Sequence, residues 1–312
     1  MKRVSIVGGG NVGTNTAFFI AENRTALVTL VDIREGITTG KALDLMEAGP
    51  LRGYDTSIMG SDHIRSVEGS DVVVLAAGRV RRPGEHRVDL YRDNSKTVRG
   101  ICEEVKKLAP GAVVINVVEP VDLLTLLAQE TLGFDRFKVM GVGGLLSSTR
   151  IRYLVSHALG VSPREVTALV IGPHHQSMIF LRDTIRVSGI PALKLMDEKK
   201  LDEIIEEARN AGDTILALAQ RSTSYYGPSA ATAGLVEAIV RDTHAILPVS
   251  VRCQGEYGVN DLCVGVPASI GARGVERIVQ VQMTGSEAQA FRDAVQSLEA
   301  RRLQVTREAS AA

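Results

Sequence analysis

Cysteine is scarce in this chain. Only Cys102, Cys253 and Cys263 occur in 312 residues. Their odd number and the lack of C-x-x-C spacing argue against a disulfide framework or a zinc site, and fit a reducing cytoplasm. An excess of either charge is also missing: 36 basic residues balance 36 acidic ones, giving a formal net charge of zero. Nucleic-acid and anionic-membrane partners demand a basic footprint, so neither is expected. No stretch of 18 apolar residues exists, which excludes a hydrophobic helical span. Met1-Lys2-Arg3 leads directly into the strand-like residues 4–7, leaving no room for a signal peptide. Internal repeats and low-complexity linkers are absent as well. The length therefore implies about two domains meeting near residue 143 without a flexible tether.

What is present is alternation. Runs rich in Val and Ile at 4–7, 27–32, 71–76, 112–118 and 138–141 are separated by helical stretches at 11–22, 37–46, 91–108 and 121–131. Near-continuous apolar strands of this kind predict a parallel sheet covered on both faces by crossover helices. From Leu145 the pattern changes. It predicts helices at 145–159, 228–241 and 287–302, strands at 166–171, 179–187, 246–253 and 261–266, and one helix over 197–220 broken around Gly212.

Gly8-Gly9-Gly10-Asn11-Val12-Gly13 places G-x-G-x-x-G after a strand and at the opening of a helix. Glycines there permit a tight turn, close backbone approach to a pyrophosphate and close helix–sheet packing. The helix N-terminus adds free N–H groups and partial positive charge. Asp32 ends the second strand, about 20 residues on, where an acid can bond a ribose 2′-hydroxyl and repel a 2′-phosphate. NAD is thus favoured, with NADP left open by the neighbouring Arg34. The fold class expected is α/β: a doubly wound parallel-sheet Rossmann domain over 1–143, then a mixed α/β substrate domain over 144–312.

After the 71–76 strand comes Ala77-Gly78-Arg79-Val80-Arg81-Arg82-Pro83-Gly84-Glu85-His86-Arg87. Arginine's planar fork suits bidentate carboxylate recognition, although a solvated basic loop gives the same spacing. The segment resembles the mobile-loop pattern A-G-x-x-R-[KR]-P-G-M-[ST]-R of the lactate/malate dehydrogenase family. Leu146-Ser147-Ser148-Thr149-Arg150-Ile151-Arg152 resembles that family's L-D-S-A-R-F-R, and Gly172-Pro173-His174-His175-Gln176-Ser177-Met178 its G-E-H-G-D-S-M. Ser224-Tyr225-Tyr226-Gly227-Pro228, Gln254-Gly255-Glu256-Tyr257-Gly258 and Gly265-Val266-Pro267 are similar to its later signatures. The likeness runs from Val4 to about Leu298 and is greatest to the lactate-dehydrogenase-like malate dehydrogenases.

The resemblance implies an NAD-dependent malate dehydrogenase, exchanging hydride between malate and NAD to give oxaloacetate and NADH. His174 then moves the proton, Arg87 polarises the reacting carbonyl, Arg81 recognises the distal carboxylate and Arg150 clamps the carboxylate beside the reacting carbon. Ser224 borders the substrate, while Gly78, Asn94 and Val117 join the cofactor contacts. A homotetramer or dimer is implied, and no metal.

Two positions depart from the pattern. Ser147 stands where the family has an aspartate bonded to the histidine, and Glu119, in Val117-Val118-Glu119-Pro120-Val121-Asp122, replaces the asparagine of T-N-P-V-D. A carboxylate partner fixes the imidazole tautomer and stabilises the imidazolium. A serine at 147 can still hold a ring nitrogen without contributing charge. Three readings stay open: Glu119 supplies the missing carboxylate by reaching His174 across the pocket; Glu119 receives a cationic group on a different 2-oxo acid; or catalysis has decayed to a binding or regulatory role.

Overall fold

The computed structural model describes residues 1–80, 87–174, 176–219 and 223–310, with Arg87, Val88 and 308–310 by backbone only. Six parallel strands form its centre: β1 (Arg3–Val7), β2 (Leu27–Val31), β3 (Ile58–Ser61), β4 (Val72–Leu75), β5 (Val113–Asn116) and β6 (Val139–Gly141). Between them run α1 (Asn11–Glu22), α2 (Ile37–Arg52), α3 (Arg87–Leu108) and α4 (Val121–Leu132). The spatial order β3-β2-β1-β4-β5-β6 reverses direction at β1/β4. That reversal opens a crevice at the strands' carboxyl ends. The central strands are apolar on both faces because helices cover both: Val4, Val28 and Val74 belong to one core, Val7, Val73 and Val114 to the other.

The second half begins with α5 (Leu145–Leu159). Five short strands follow: β7 (Val166–Thr167), β8 (Val170–Ile171), β9 (Ile179–Phe180), β10 (Arg186–Val187) and β11 (Ile190–Pro191). Then come α6 (Glu198–Ala219), α7 (Tyr226–Val240), β12 (Ala245–Gln254), β13 (Asn260–Gly271), β14 (Gly274–Ile278) and α8 (Gly285–Ser310). Strand β12 pairs antiparallel with β6 through Ser250 and Gly141, so β12–β14 extend the central sheet to nine strands. The two halves of the sequence thus share one sheet.

Several expectations need correction. α6 is unbroken through Gly212: its buried face, Leu201, Ile204, Ile205 and Ala208, anchors the helix before the glycine, and one glycine costs too little to end it there. α2 continues past residue 46 to Arg52 despite Pro50. The expected strands 166–171 and 179–187 are each split into two-residue pieces. β3 and β14 lack a strong apolar run and were not anticipated: β14 is a hairpin return that pairs on one side, and β3 is the sheet's edge.

Candidate active site

At the end of β1 the backbone turns through glycines whose bareness is required. A Cβ on Gly8, at φ +123°, would lie 2.4 Å from the Ala76 carbonyl carbon, and one on Gly13 would lie 1.9 Å from the Gly8 oxygen. Gly10 caps α1 without a side chain, so backbone N–H groups of Asn11 and Val12 face the turn's open end. This cradle fits a dinucleotide pyrophosphate. Asp32 Oδ2 accepts the Gly9 N–H at 2.8 Å, and Arg34 grips both carboxylate oxygens at 2.9 and 3.1 Å. The Arg34 guanidinium holds the Asp32 carboxyl down at about 2. Lys41 Nζ donates to the Gly9 carbonyl at 2.6 Å and to Thr14 Oγ1 at 3.3 Å. Sequence reasoning missed it, because no spacing rule marks a lysine on the second helix.

Gly78 and Val117 line a cavity of about 250 Å³ together with Val12, Glu119, Arg150, His174 and Ser224. Asn94 sits behind its wall. Buried at 1 % exposure, it accepts the Arg79 N–H at 2.9 Å and donates to the Arg79 and Glu119 carbonyls at 3.1 and 2.8 Å. Its amide ties together the chain leaving β4 and the chain leaving β5.

His174 follows β8 and is held from the first half of the chain. Gly172 donates its N–H to the Gly265 carbonyl at 2.8 Å, anchoring the turn. The His174 N–H then donates to Asp122 Oδ2 at 2.7 Å, and its Nδ1 lies 3.1 Å from the Gly143 carbonyl oxygen. Asp122, in the first turn of α4, also accepts the Ser250 hydroxyl at 2.6 Å. Burial pushes its carboxyl pKa up, and the Ser250 hydroxyl and His174 draw it back. On the other side of the ring, Nε2 lies 3.1 Å from Glu119 Oε1. Glu119 and His174, 55 positions apart, therefore meet.

Arg150 projects from α5 into the same cavity, its guanidinium nitrogens 3.6 and 3.7 Å from where a Cβ on Gly212 would stand. Burial pushes its pKa down, and the carboxylates of Glu119 and Asp213 push it back up. Gln176 donates to Asp213 Oδ2 at 3.4 Å. Arg209 from α6 donates to the Gln176 and Met178 carbonyls, fastening the segment after His174.

The expectation for Ser147 is corrected. Its hydroxyl is fully buried and makes no hydrogen bond, so it holds neither nitrogen of His174. A serine is one atom shorter in reach than the aspartate of the pattern, and the Gly143 carbonyl takes Nδ1 instead. Asp122 and Gly143 went unmarked in the sequence because one looks like a helix-start acid and the other contributes only backbone. Arg81, the side chain of Arg87 and His175 lie outside the described residues. Among the described residues one surface group has metal-ligand spacing, Asp242, His244 and Glu276. There His244 Nδ1 already bonds Glu276 Oε2 at 2.6 Å, an arrangement that an ion pair explains.

A glycine-turn cradle, an acid at the end of β2, and an oriented imidazole beside an arginine in the switch-point crevice define a pyridine-nucleotide-linked hydroxy-acid dehydrogenase. Residues 2–141 match the lactate/malate dehydrogenase NAD binding domain and residues 145–308 that family's alpha/beta C-terminal domain. The chain belongs to the lactate/malate dehydrogenase family. It is 41% identical to the malate dehydrogenase of Thermomicrobium roseum over 95% of this chain and 98% of that one. The malate dehydrogenase structure from Salinibacter ruber superposes with TM-score 0.93 at 36% identity, covering 99% of both chains. A Cryptosporidium parvum lactate dehydrogenase complexed with lactic acid and NAD superposes equally, at TM-score 0.93 and 31% identity over 98% of both chains.

Proposed function

We propose that this protein is an NAD-dependent malate dehydrogenase acting on malate and oxaloacetate. The observation that carries the reading is the meeting of His174, Glu119 and Arg150 in one cavity bordered by the dinucleotide cradle. Gly8, Gly10, Asn11, Val12 and Gly13 would hold the pyrophosphate, and Asp32 the ribose, after sharing or yielding its bonds to Arg34. NAD, when bound, accepts or returns the hydride.

The chain's own residues do the rest. Arg150, desolvated in the cavity wall, receives the carboxylate next to the reacting carbon through two parallel hydrogen bonds. Arg81 recognises the distal carboxylate and Arg87 polarises the carbonyl, as the sequence pattern implies. His174, held by Asp122 and Gly143, keeps the site's mobile proton. Ser224 borders the substrate from the chain leading into α7, and Asn94 holds the backbone that carries Glu119. Identity of 36 to 41% to malate dehydrogenases over most of the chain supports the dicarboxylate as substrate.

A homo-oligomer, tetramer or dimer, belongs to the same reading. Leu43 and Leu51 on α2 are large apolar side chains left in solvent. Cytoplasmic residence fits three buried, free cysteines, and among the described residues no helix is long and apolar enough to cross a membrane.

The test is oxaloacetate-dependent NADH oxidation, with pyruvate and 2-oxoglutarate as controls. Selective turnover of oxaloacetate is expected. Normal NADH binding without turnover of any of the three would overturn the proposal.

A further inference from the structure

Glu119 does more than restore a lost carboxylate, because it sits on the opposite nitrogen from the one that needs orienting. The Gly143 oxygen 3.1 Å from Nδ1 is a carbonyl and can only accept, so Nδ1 carries its proton in both charge states of the ring. Nε2 is then the nitrogen that gains and loses a proton, and it is the one 3.1 Å from Glu119 Oε1. Two acceptors at that distance hold one proton between them. The pair is either imidazolium with carboxylate or imidazole with carboxylic acid. Of the two side chains, Glu119 is the more exposed, 38% against 15% for His174.

We propose that Glu119 exchanges the catalytic proton with the substrate's oxygen, and that His174 stands behind it as the reservoir. This rests on the dehydrogenase reading above. In oxidation the substrate O–H bond breaks and its proton goes to the Glu119 carboxylate, while the proton already shared with Nε2 settles on His174. The oxygen's electron pair forms the C=O bond as the carbon's hydride leaves for the nicotinamide. In reduction each transfer runs backwards. Among the described residues, the charges facing this pair are Asp122 from α4, behind His174, Arg150 from α5, Asp213 and Arg209 from α6, and Arg79 from the chain after β4. Arg79 and Arg209 are already paired, with Asp93 and Glu206. Of the rest, Asp122 and Arg150 act on the pair in opposite directions, and Asp213 adds negative charge beside Arg150.

The experiment compares Glu119→Gln and Glu119→Asn with the unaltered protein, measuring kcat and KM for oxaloacetate and malate across pH. NADH binding is followed separately by fluorescence. Positioned acid–base groups contribute about 10²–10⁴-fold. Both variants should therefore lose about a hundredfold or more in kcat, in both directions, with NADH affinity kept. The pH profile of the residual rate should differ from that of the unaltered protein. If Glu119→Asn matches or exceeds the unaltered rate, the relay is overturned, and Glu119 merely moves aside for substrate. A rise in KM with kcat preserved overturns it too. No turnover by the unaltered protein overturns the dehydrogenase reading, and the relay with it.

Discussion

At the residue scale, the active histidine depends on a carboxylate that it never touches with its ring. Asp122 accepts the His174 backbone N–H and the Ser250 hydroxyl, and so fixes where the imidazole starts. Burial pushes its pKa up, but each of its oxygens accepts a hydrogen bond, as an ionised carboxylate's do. Asp122→Asn keeps an acceptor and removes the charge. Hydrogen bonds to charged groups are worth about 1.5–3 kcal/mol, so kcat should fall by roughly ten- to a hundredfold. The sign of the pH effect follows from the charge: without it the protonated ring is disfavoured, and the pH limit for oxaloacetate reduction moves downward. A pH–rate profile checks this, and an unmoved profile would reduce Asp122 to a structural anchor. Asp32 offers a second case. Its carboxylate is engaged on both oxygens by Arg34. Asp32→Ala removes the ribose acceptor and releases that guanidinium for a 2′-phosphate. The NADPH-to-NADH ratio of kcat/KM should rise by about tenfold or more. An unchanged ratio would remove Asp32 from cofactor selection.

At the element scale, helices with strong apolar periodicity and short loops were legible, and those with a single misleading residue were not. α1 and α5 run as the pattern predicts, Asn11–Glu22 and Leu145–Leu159. α6 runs on through its glycine because about 1 kcal/mol is too small a cost to end a helix already nucleated on the buried face before it. Gly212→Ala follows from this. The new Cβ would stand in ordinary contact with the Arg150 guanidinium, 3.6 Å away, and the helix backbone gains by propensity. Stability should rise by about 0.5–1 kcal/mol in urea or thermal unfolding. A fall would mean that Arg150 needs the open space. The short strands β7–β11 were harder to foresee, since two-residue pairings leave almost no periodic signal. The two functional loops gave clear motifs, yet only the fold shows that Asn94 stitches them together.

At the scale of the whole molecule, the two halves are joined by pairings distant in sequence. Arg136, just before β6, donates to both oxygens of Glu256, at 2.7 and 3.2 Å, and to the Arg252 carbonyl at 2.9 Å. The Arg136 guanidinium holds the Glu256 carboxyl down at about 2, from an ordinary 4.5. A depressed carboxyl stabilises the fold fully above its unfolded value. That contribution fades as pH falls from 4.5 toward 2. Glu256→Gln should cost about 2 kcal/mol at neutral pH and progressively less in acid, in denaturant titrations at several pH values. An equal cost at pH 7 and in strong acid would refute the charge's role. The fold class, the glycine cradle, Asp32 and the candidate roles of His174 and Arg150 were all readable from the chain, because periodicity, turn chemistry and local motifs are properties of neighbours in sequence. That Glu119 rests on Nε2, that Gly143 takes Nδ1 from the shortened Ser147, and that one sheet spans both halves depend on groups 27 to 109 positions apart. No local pattern encodes such distances; packing of the helices against a shared sheet brings those atoms together.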